Sequence, residues 1–299
     1  MKNKKDNIEK EYFKNNIVFS NLINYYLYGG KNIISPDDLV ELDTESNNDN
    51  ISRKRDILKL ATMKTDGKYN YLLLGIENQT REDKYMVIRN MLYDILSYDK
   101  QRQDIDNYFK NVKINLEGNK NKIFPVITII IYFSHKKWKG PKDLHSLLKI
   151  ENESIKKFIP NYNLNIIEPY NMEEKDFKLL NNDLGVLFQF IKNSGDENKL
   201  NNLISNKQLV AKNETIRLIN EITKADLPMN ENEEDIEMCK AIEDMKKHAK
   251  EDGIQEGMIK GEEKNLNNNI KTMHSNGFDV NTIAKALSLD INYVKKVLA

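Results

Sequence analysis

The sequence predicts an α/β fold with an all-helical C-terminal tail. Three features carry that expectation: two extended segments around Asp66-Gly67, a later unbroken apolar run from Phe124 to Phe133, and purely helical periodicity beyond residue 236. A DG pair between apolar runs is a strong hairpin signal, because both turn residues adopt positive φ. The Phe124–Phe133 run is rich in β-branched residues and does not alternate with polar ones, as expected of a central strand covered on both faces.

The other elements follow in chain order. Ile8, Tyr12, Ile17, Phe19, Leu22, Ile23, Tyr26 and Leu27 are spaced for one or two helices, stopped by Gly29-Gly30. Pro36 to Thr44 reads as a short helix start, and Ser46 to Asn50 as a polar loop. Strands are expected over Arg55–Lys64 and Lys68–Gln79. Thr80, with Asp83 three residues on, predicts a capped helix to about Tyr98, with Tyr85, Ile88, Leu92 and Ile95 on one face. After Trp138 and Gly140-Pro141 come a helix, a short strand over Leu164–Glu168, and helices to about residue 224. Residues 225–235 are acidic and aperiodic, which predicts a linker between a domain over 1–224 and a tail over 236–299. The tail reads as a charged helix carrying Gly253, Gly257 and Gly261, whose spacing permits close helix approach and a homo-oligomer. Two short helices, Leu266–Ser275 and Val280–Ala299, end it with helix-turn-helix character, for DNA reading or for packing.

Composition narrows the function. Among 299 residues, 46 Lys and Arg balance 46 Asp and Glu, so no basic excess marks a dedicated nucleic-acid binder. Any DNA-facing surface must come from local clusters, such as Lys136, Lys137 and Lys139, or Arg53, Lys54 and Arg55; ordinary solvated faces are the alternative. The single cysteine, Cys239, excludes an internal disulfide. His135, His145, His248 and His274 lack metal-ligand spacing. The opening lysines precede no apolar segment, and the Ile123–Phe133 run is far shorter than the roughly 20 residues of a spanning helix. A cytoplasmic protein with no membrane partner is expected.

The hairpin supports a geometric argument. With a two-residue turn, Thr65 faces Lys68, which sets Asp56 opposite Glu77 and Lys54 opposite Gln79. Directly opposed residues have Cβ atoms about 4.5–5.5 Å apart, and like charges there repel. Such a pair needs a cation, a shared proton or open water, and a hard divalent cation such as Mg²⁺ meets that need best. In the other reading, Asp56 is a solvated strand-edge residue and Glu77 marks where the strand emerges. A bulge would alter the register.

Several short segments occur in a recognisable order: Ser35-Pro36-Asp37-Asp38-Leu39 with Asp43-Thr44, Arg55-Asp56, Leu74-Gly75-Ile76-Glu77-Asn78-Gln79, and Arg89 with Met91-Leu92-Tyr93. Phe124-Pro125-Val126-Ile127-Thr128 follows, leading to Tyr132, Trp138, Gly140 and Pro141. Together, over roughly residues 8–200, they resemble the Rpn (recombination-promoting nuclease, YhgA-like transposase) family, a branch of the PD-(D/E)xK phosphodiesterases. The resemblance implies a PD-(D/E)xK nuclease-like mixed sheet flanked by helices, and Mg²⁺-dependent cleavage of DNA that promotes recombination or mobility, with Mn²⁺ able to substitute. It implies Asp56 and Glu77 as catalytic metal ligands, the Asn78 carbonyl as a further ligand, and Gln79 at the position of the motif's lysine. Gln79 can only orient water or phosphate, since an amide is neither charged nor usefully basic. Arg89 and Tyr93 share a helix face, for phosphate contact or for bracing helix to sheet. Glu11 is the candidate for an additional acid from the first helix. Ser134 departs from the glycine usual in the family. A catalytically inactive nuclease fold that binds DNA or protein is the alternative.

Overall fold

A mixed five-stranded sheet organises the first part of the chain. The computed structural model describes residues 2–48, 51–65, 68–112, 122–206, 209–225, 227–229 and 235–298. Helices α1 (Lys2–Lys14) and α2 (Asn16–Tyr28) lead into β1 (Leu39–Glu41), then β2 (Glu45–Asn48), β3 (Ile51–Lys54), β4 (Ile57–Thr65) and β5 (Lys68–Gln79). Next come α3 (Met86–Gln103), α4 (Ile105–Tyr108), β6 (Val126–Tyr132), α5 (Leu144–Leu147) and β7 (Asn165–Ile167). Helices α6 (Glu174–Leu179), α7 (Asn182–Asn193) and α8 (Glu197–Asn206) follow, then β8 (Val210–Lys212), α9 (Asn213–Thr223) and β9 (Asp235–Glu237). The remainder is α10 (Met238–Ser275), α11 (Val280–Leu287) and α12 (Ile291–Leu298).

The sheet order is β1-β4-β5-β6-β7. The β1/β4 and β4/β5 pairs are antiparallel, whereas β5/β6 and β6/β7 are parallel. This is an α/β nuclease-like arrangement with a helical C-terminal region. The hairpin register carries from Thr65↔Lys68 to Ile57↔Ile76, as a two-residue turn requires; Asp66 and Gly67 themselves lie outside the described residues. β6 sits inside the sheet and is buried along nearly its whole length, which explains its unbroken apolar run.

One sheet face packs Leu58, Leu60, Tyr71, Leu73 and Val126 against Phe109, Phe124 and the partly buried Tyr98, Ile105 and Tyr108. Further along, Met86 and Val87 of α3 meet Ile130, Tyr132 and Trp138. On β4, Lys59 is buried, and its ammonium donates to the Lys14 carbonyl (2.5 Å) and to Asn16 Oδ1, 5.0 Å from the Phe19 ring centroid. A strand lysine thus satisfies the C-terminal end of α1 and fastens that helix to the sheet. The Tyr12 hydroxyl and Thr215 Oγ1, 3.0 Å apart, tie α1 to α9.

Several expectations are corrected. The segment 36–38 is a single 3-10 turn that feeds an edge strand, and of the polar loop expected over Ser46 to Asn50, residues 46–48 pair with β3 while 49–50 lie outside the described residues. The helix after the hairpin starts at Met86, not Thr80, because the Asp83 carboxylate instead accepts the Tyr85 N–H (2.9 Å) in a turn. Tyr85, Ile88 and Ile95 lie on its exposed side; the buried side carries Met86, Val87, Asn90, Tyr93, Asp94 and Ser97. Apolar periodicity misplaces that face because the sheet beneath it requires polar partners. Residues 266–275 belong to the 38-residue α10, and 280–299 splits at Ser288, which takes the left-handed conformation (φ 55°). At Gly257 and Gly261 an added methyl group would meet open space; the surroundings of Gly253 and of the Cys239 side chain lie outside the described residues.

Compact units divide after Cys239, at Met1–Cys239 and Lys240–Ala299. The described part of the acidic segment is attached to the first unit. Leu227 is buried, with its N–H and carbonyl held by the Asn220 side chain (2.6 and 2.7 Å), and β9 pairs with β8. The second unit has its own core of Ile270, Ile283, Ala284 and Val294. A chain ended at Cys239 is therefore expected to melt cooperatively at the temperature of the first unit. A chain ended at Ala225 is expected to melt several degrees lower, since burying a leucine contributes roughly 1.5–3 kcal/mol. Equal melting temperatures for the two chains, measured by circular dichroism, would place the boundary at the start of the acidic segment.

Candidate metal centre

Asp56 occupies the bend just before β4, where the ladder to β5 ends. Asp56 is joined there to the end of β5 through both its N–H and its carboxylate. The Asp56 N–H donates to Glu77 Oε1 (3.2 Å), and the Asn78 N–H donates to Asp56 Oδ2 (2.9 Å). Each carboxylate's other oxygen faces a cation. Lys10 Nζ lies 2.9 Å from Asp56 Oδ1, and Arg89 Nη2 lies 4.0 Å from Glu77 Oε2. Both acids line a cavity of about 760 Å³, together with Gln79, Glu9, Arg89 and Tyr93.

Two sequence-predicted placements change. Lys54 does not face Gln79: the β4 ladder stops at Ile57, and Lys54 belongs to β3, paired with Glu45 both in register and by a 2.8 Å ion pair. It still reaches the cavity wall, but Lys10, which sequence reasoning missed, is the basic neighbour of Asp56. Glu11 is exposed; the α1 acids at the cavity are Asp6 and Glu9, the latter only 2% exposed. Helical rotation of about 100° per residue turns Glu11 away from whatever Glu9 faces.

Arg89 donates to Asp83 Oδ2 (2.9 Å) from the cavity side, and the Tyr93 hydroxyl donates to the Lys54 carbonyl (3.3 Å). Ser134 takes an ordinary backbone conformation, and its Oγ accepts the Lys136 N–H (3.1 Å). The side-chain amide of Asn78 is buried with no protein partner among the described residues.

Beneath the acids, Arg55 turns inward and is 3% exposed, so it is no part of a phosphate-tracking surface. Its guanidinium donates to Thr128 Oγ1, to Asp94 Oδ1 (2.9 Å) and to Ser97 Oγ (3.3 Å), and lies 5.4 Å from the Tyr93 ring centroid. Thr128 donates in turn to Asp94 (2.6 Å), whose second oxygen accepts the Tyr162 hydroxyl. The guanidinium crosses directly over Gly75, where a Cβ would stand 2.3 Å from Arg55 Nη1 and 2.9 Å from Thr128 Oγ1.

Burial, followed by the charge of Asp56, raises the Glu77 carboxyl to about 8, against the opposing pull of Arg55, Arg89 and the Asp56 N–H. Burial works against the charge on Lys10, but the Asp56 hydrogen bond and the charges of Asp56, Asp6 and Glu77 outweigh it and raise its pKa. The Tyr93 hydroxyl is also raised, by burial and then by Glu77.

The donor chemistry fits one hard cation: two carboxylate oxygens on the cavity side, from acids whose mutual repulsion a divalent charge would relieve. Among the described residues no group of three or more His, Cys, Asp or Glu is poised to hold a metal ion, so water and phosphate oxygens would complete the shell.

Fold and site together define a nuclease-like α/β protein with a paired-carboxylate centre. The family model described as "Putative transposase, YhgA-like" matches residues 38–219, and the chain belongs to that family, which places it among transposition- or recombination-related proteins. No curated protein and no solved structure matches the chain. No helix among the described residues is long and apolar enough to cross a membrane.

Gly75→Ala is expected to lower stability by about 1–3 kcal/mol, since the new methyl group must displace a guanidinium locked by its partners. Urea denaturation measures this, and an unchanged midpoint would mean that Arg55 yields freely. A second expectation concerns pH. Glu77 binds its proton more tightly when folded, so the stability it contributes is fully present below its ordinary value of 4.5 and is lost as pH rises through about 8. In EDTA, the melting temperature of the wild type should fall relative to Glu77→Gln across that window. Parallel curves for the two proteins would show that Glu77 ionises without penalty.

Proposed function

We propose that the chain is a metal-dependent DNA endonuclease whose cuts serve recombination or transposon-like mobility. The observation that carries this reading is Asp56 and Glu77 side by side at the wall of one cavity, the Asp56 N–H on the Glu77 carboxylate and the Asn78 N–H on that of Asp56, with Glu77 pushed well above the ordinary carboxylate range. Asp56 and Glu77 would hold Mg²⁺, or Mn²⁺ in its place. Bound there, such a cation supplies positive charge to the phosphate and acidifies an attacking water. Gln79 lies on the Glu77 face of β5 and can orient that water or a phosphate oxygen by hydrogen bonding. Arg89, partly exposed and already directed at Glu77, is positioned to take a phosphate oxygen. DNA is the expected partner. The absence of a basic excess favours the alternative, a nuclease fold that binds DNA without cutting it.

Plasmid digestion with Mg²⁺ or Mn²⁺ tests the reading. Asp56→Ala and Glu77→Ala should each abolish nicking while retaining wild-type circular dichroism. Gln79→Ala should slow it less, and Gln79→Lys should keep activity. Wild-type cutting by both carboxylate variants would remove the assigned site, whereas DNA binding without cutting by the wild type would establish the alternative.

A further inference from the structure

The cavity holds several cations, and most are committed elsewhere. Lys54 is paired with Glu45, Lys224 with Glu221, and Arg89 chiefly with Asp83, while Arg81 also lines the cavity but is exposed and in no ion pair among the described residues. Lys10 differs, since its partner is the site carboxylate itself, Asp56 Oδ1 at 2.9 Å. It is also a positioned charge. α1 packs on β4 and β5, its end is satisfied by the buried Lys59, and Tyr12, two residues on, meets Thr215. The Lys10 side chain is 32% exposed, enough to meet a ligand in the cavity while its stem stays packed. Gln79, on the Glu77 face of the same cavity, carries no charge.

We propose that Lys10 is a substrate-binding residue of this site: its ammonium contacts a phosphate oxygen of the bound strand and supplies the positive charge that Gln79 lacks. This rests on the nuclease reading above. Because the ammonium shares Asp56 Oδ1 with any cation that binds there, it also opposes that cation by like charge and by competition for the oxygen. Lys10 therefore weakens metal binding slightly and strengthens nucleic-acid binding, two effects of opposite sign from one side chain. A residue that only braced α1 against the sheet would produce neither the opposite signs nor a salt dependence.

The test uses the full chain with Lys10→Gln and Lys10→Arg, and Asp56→Ala as reference. Mn²⁺ binding without nucleic acid is measured by titration calorimetry, and binding of a fluorescent oligonucleotide in Ca²⁺ by anisotropy over a range of salt. Lys10→Gln should bind Mn²⁺ several-fold more tightly, bind the oligonucleotide about tenfold more weakly, and lower the salt slope by about one. Lys10→Arg should restore oligonucleotide binding. Unchanged oligonucleotide affinity and salt slope in Lys10→Gln would overturn the proposal, as would weaker Mn²⁺ binding, the mark of a brace. If Asp56→Ala still loses Mn²⁺ binding in those cases, the metal-site reading survives. Wild-type Mn²⁺ binding by Asp56→Ala would remove that reading and this proposal with it.

Discussion

The site depends on the passage of one guanidinium across the sheet. Arg55 is buried where an unpaired charge would cost several kcal/mol, so it requires the Asp94 carboxylate and the hydroxyls of Ser97 and Thr128 around it. That requirement shapes three elements. β5 has glycine at position 75, because any side chain there would occupy the path of the guanidinium. α3 turns a polar face inward, contributing Asn90, Asp94 and Ser97 where apolar residues would otherwise pack. β6 places Thr128 inside an otherwise apolar run. Because Arg55 faces inward, the chain bends at Asp56, whose carboxylate reaches across to the end of β5 instead of following the ladder.

Above this base the fold places like charges together and offsets them only in part. Glu77 is buried beside Asp56, and the cations that answer them come from different helices, Lys10 on α1 and Arg89 on α3. A fold optimised for stability alone would have an apolar pair there. A strongly perturbed carboxyl in a cavity, as Glu77 is, is characteristic of a site that binds charge. The closed ion-pair network lies apart from it. Asp94 belongs to a network closed by Arg55, Thr128 and Tyr162, whereas the cavity-side oxygens of Asp56 and Glu77 face groups that are themselves partly exposed.

How much of this was legible in the sequence follows from which forces are local. The hairpin register was legible because a two-residue turn fixes every facing pair by number, and Ile57↔Ile76 carries it to the edge of the site. It failed at Lys54 for a tertiary reason: the inward turn of Arg55, whose partners lie some 40 to 70 residues away, ends the ladder three residues beyond Lys54. β6 was legible from its apolar run, but the buried face of α3 was not, since apolar residues lie on both sides of the helix and Asn90, Asp94 and Ser97 share the buried one. Glu9 and Lys10 were missed because a helix with acids at 6, 9 and 11 does not reveal which one faces a sheet that has yet to form.

The same division bears on which part of the chain does what. The family model spans residues 38–219, and within it lie Asp56, Glu77, Gln79, Arg89, Tyr93 and the whole Arg55 network. The cavity is closed by residues on either side of that span: Asp6, Glu9 and Lys10 from α1, and Glu221 and Lys224 at the end of α9. α1 is fastened to α9 by Tyr12 and Thr215, the latter within the matched span, and to the sheet by Lys59. The matched core therefore carries the paired carboxylates and their support, and the flanks set the charge of the wall opposite them. Electrostatic interactions across such a cavity are strong enough to tune binding yet remain open to salt. Changes in α1 and α9 can thus alter what the cavity accepts while the carboxylates and the arginine beneath them stay in place.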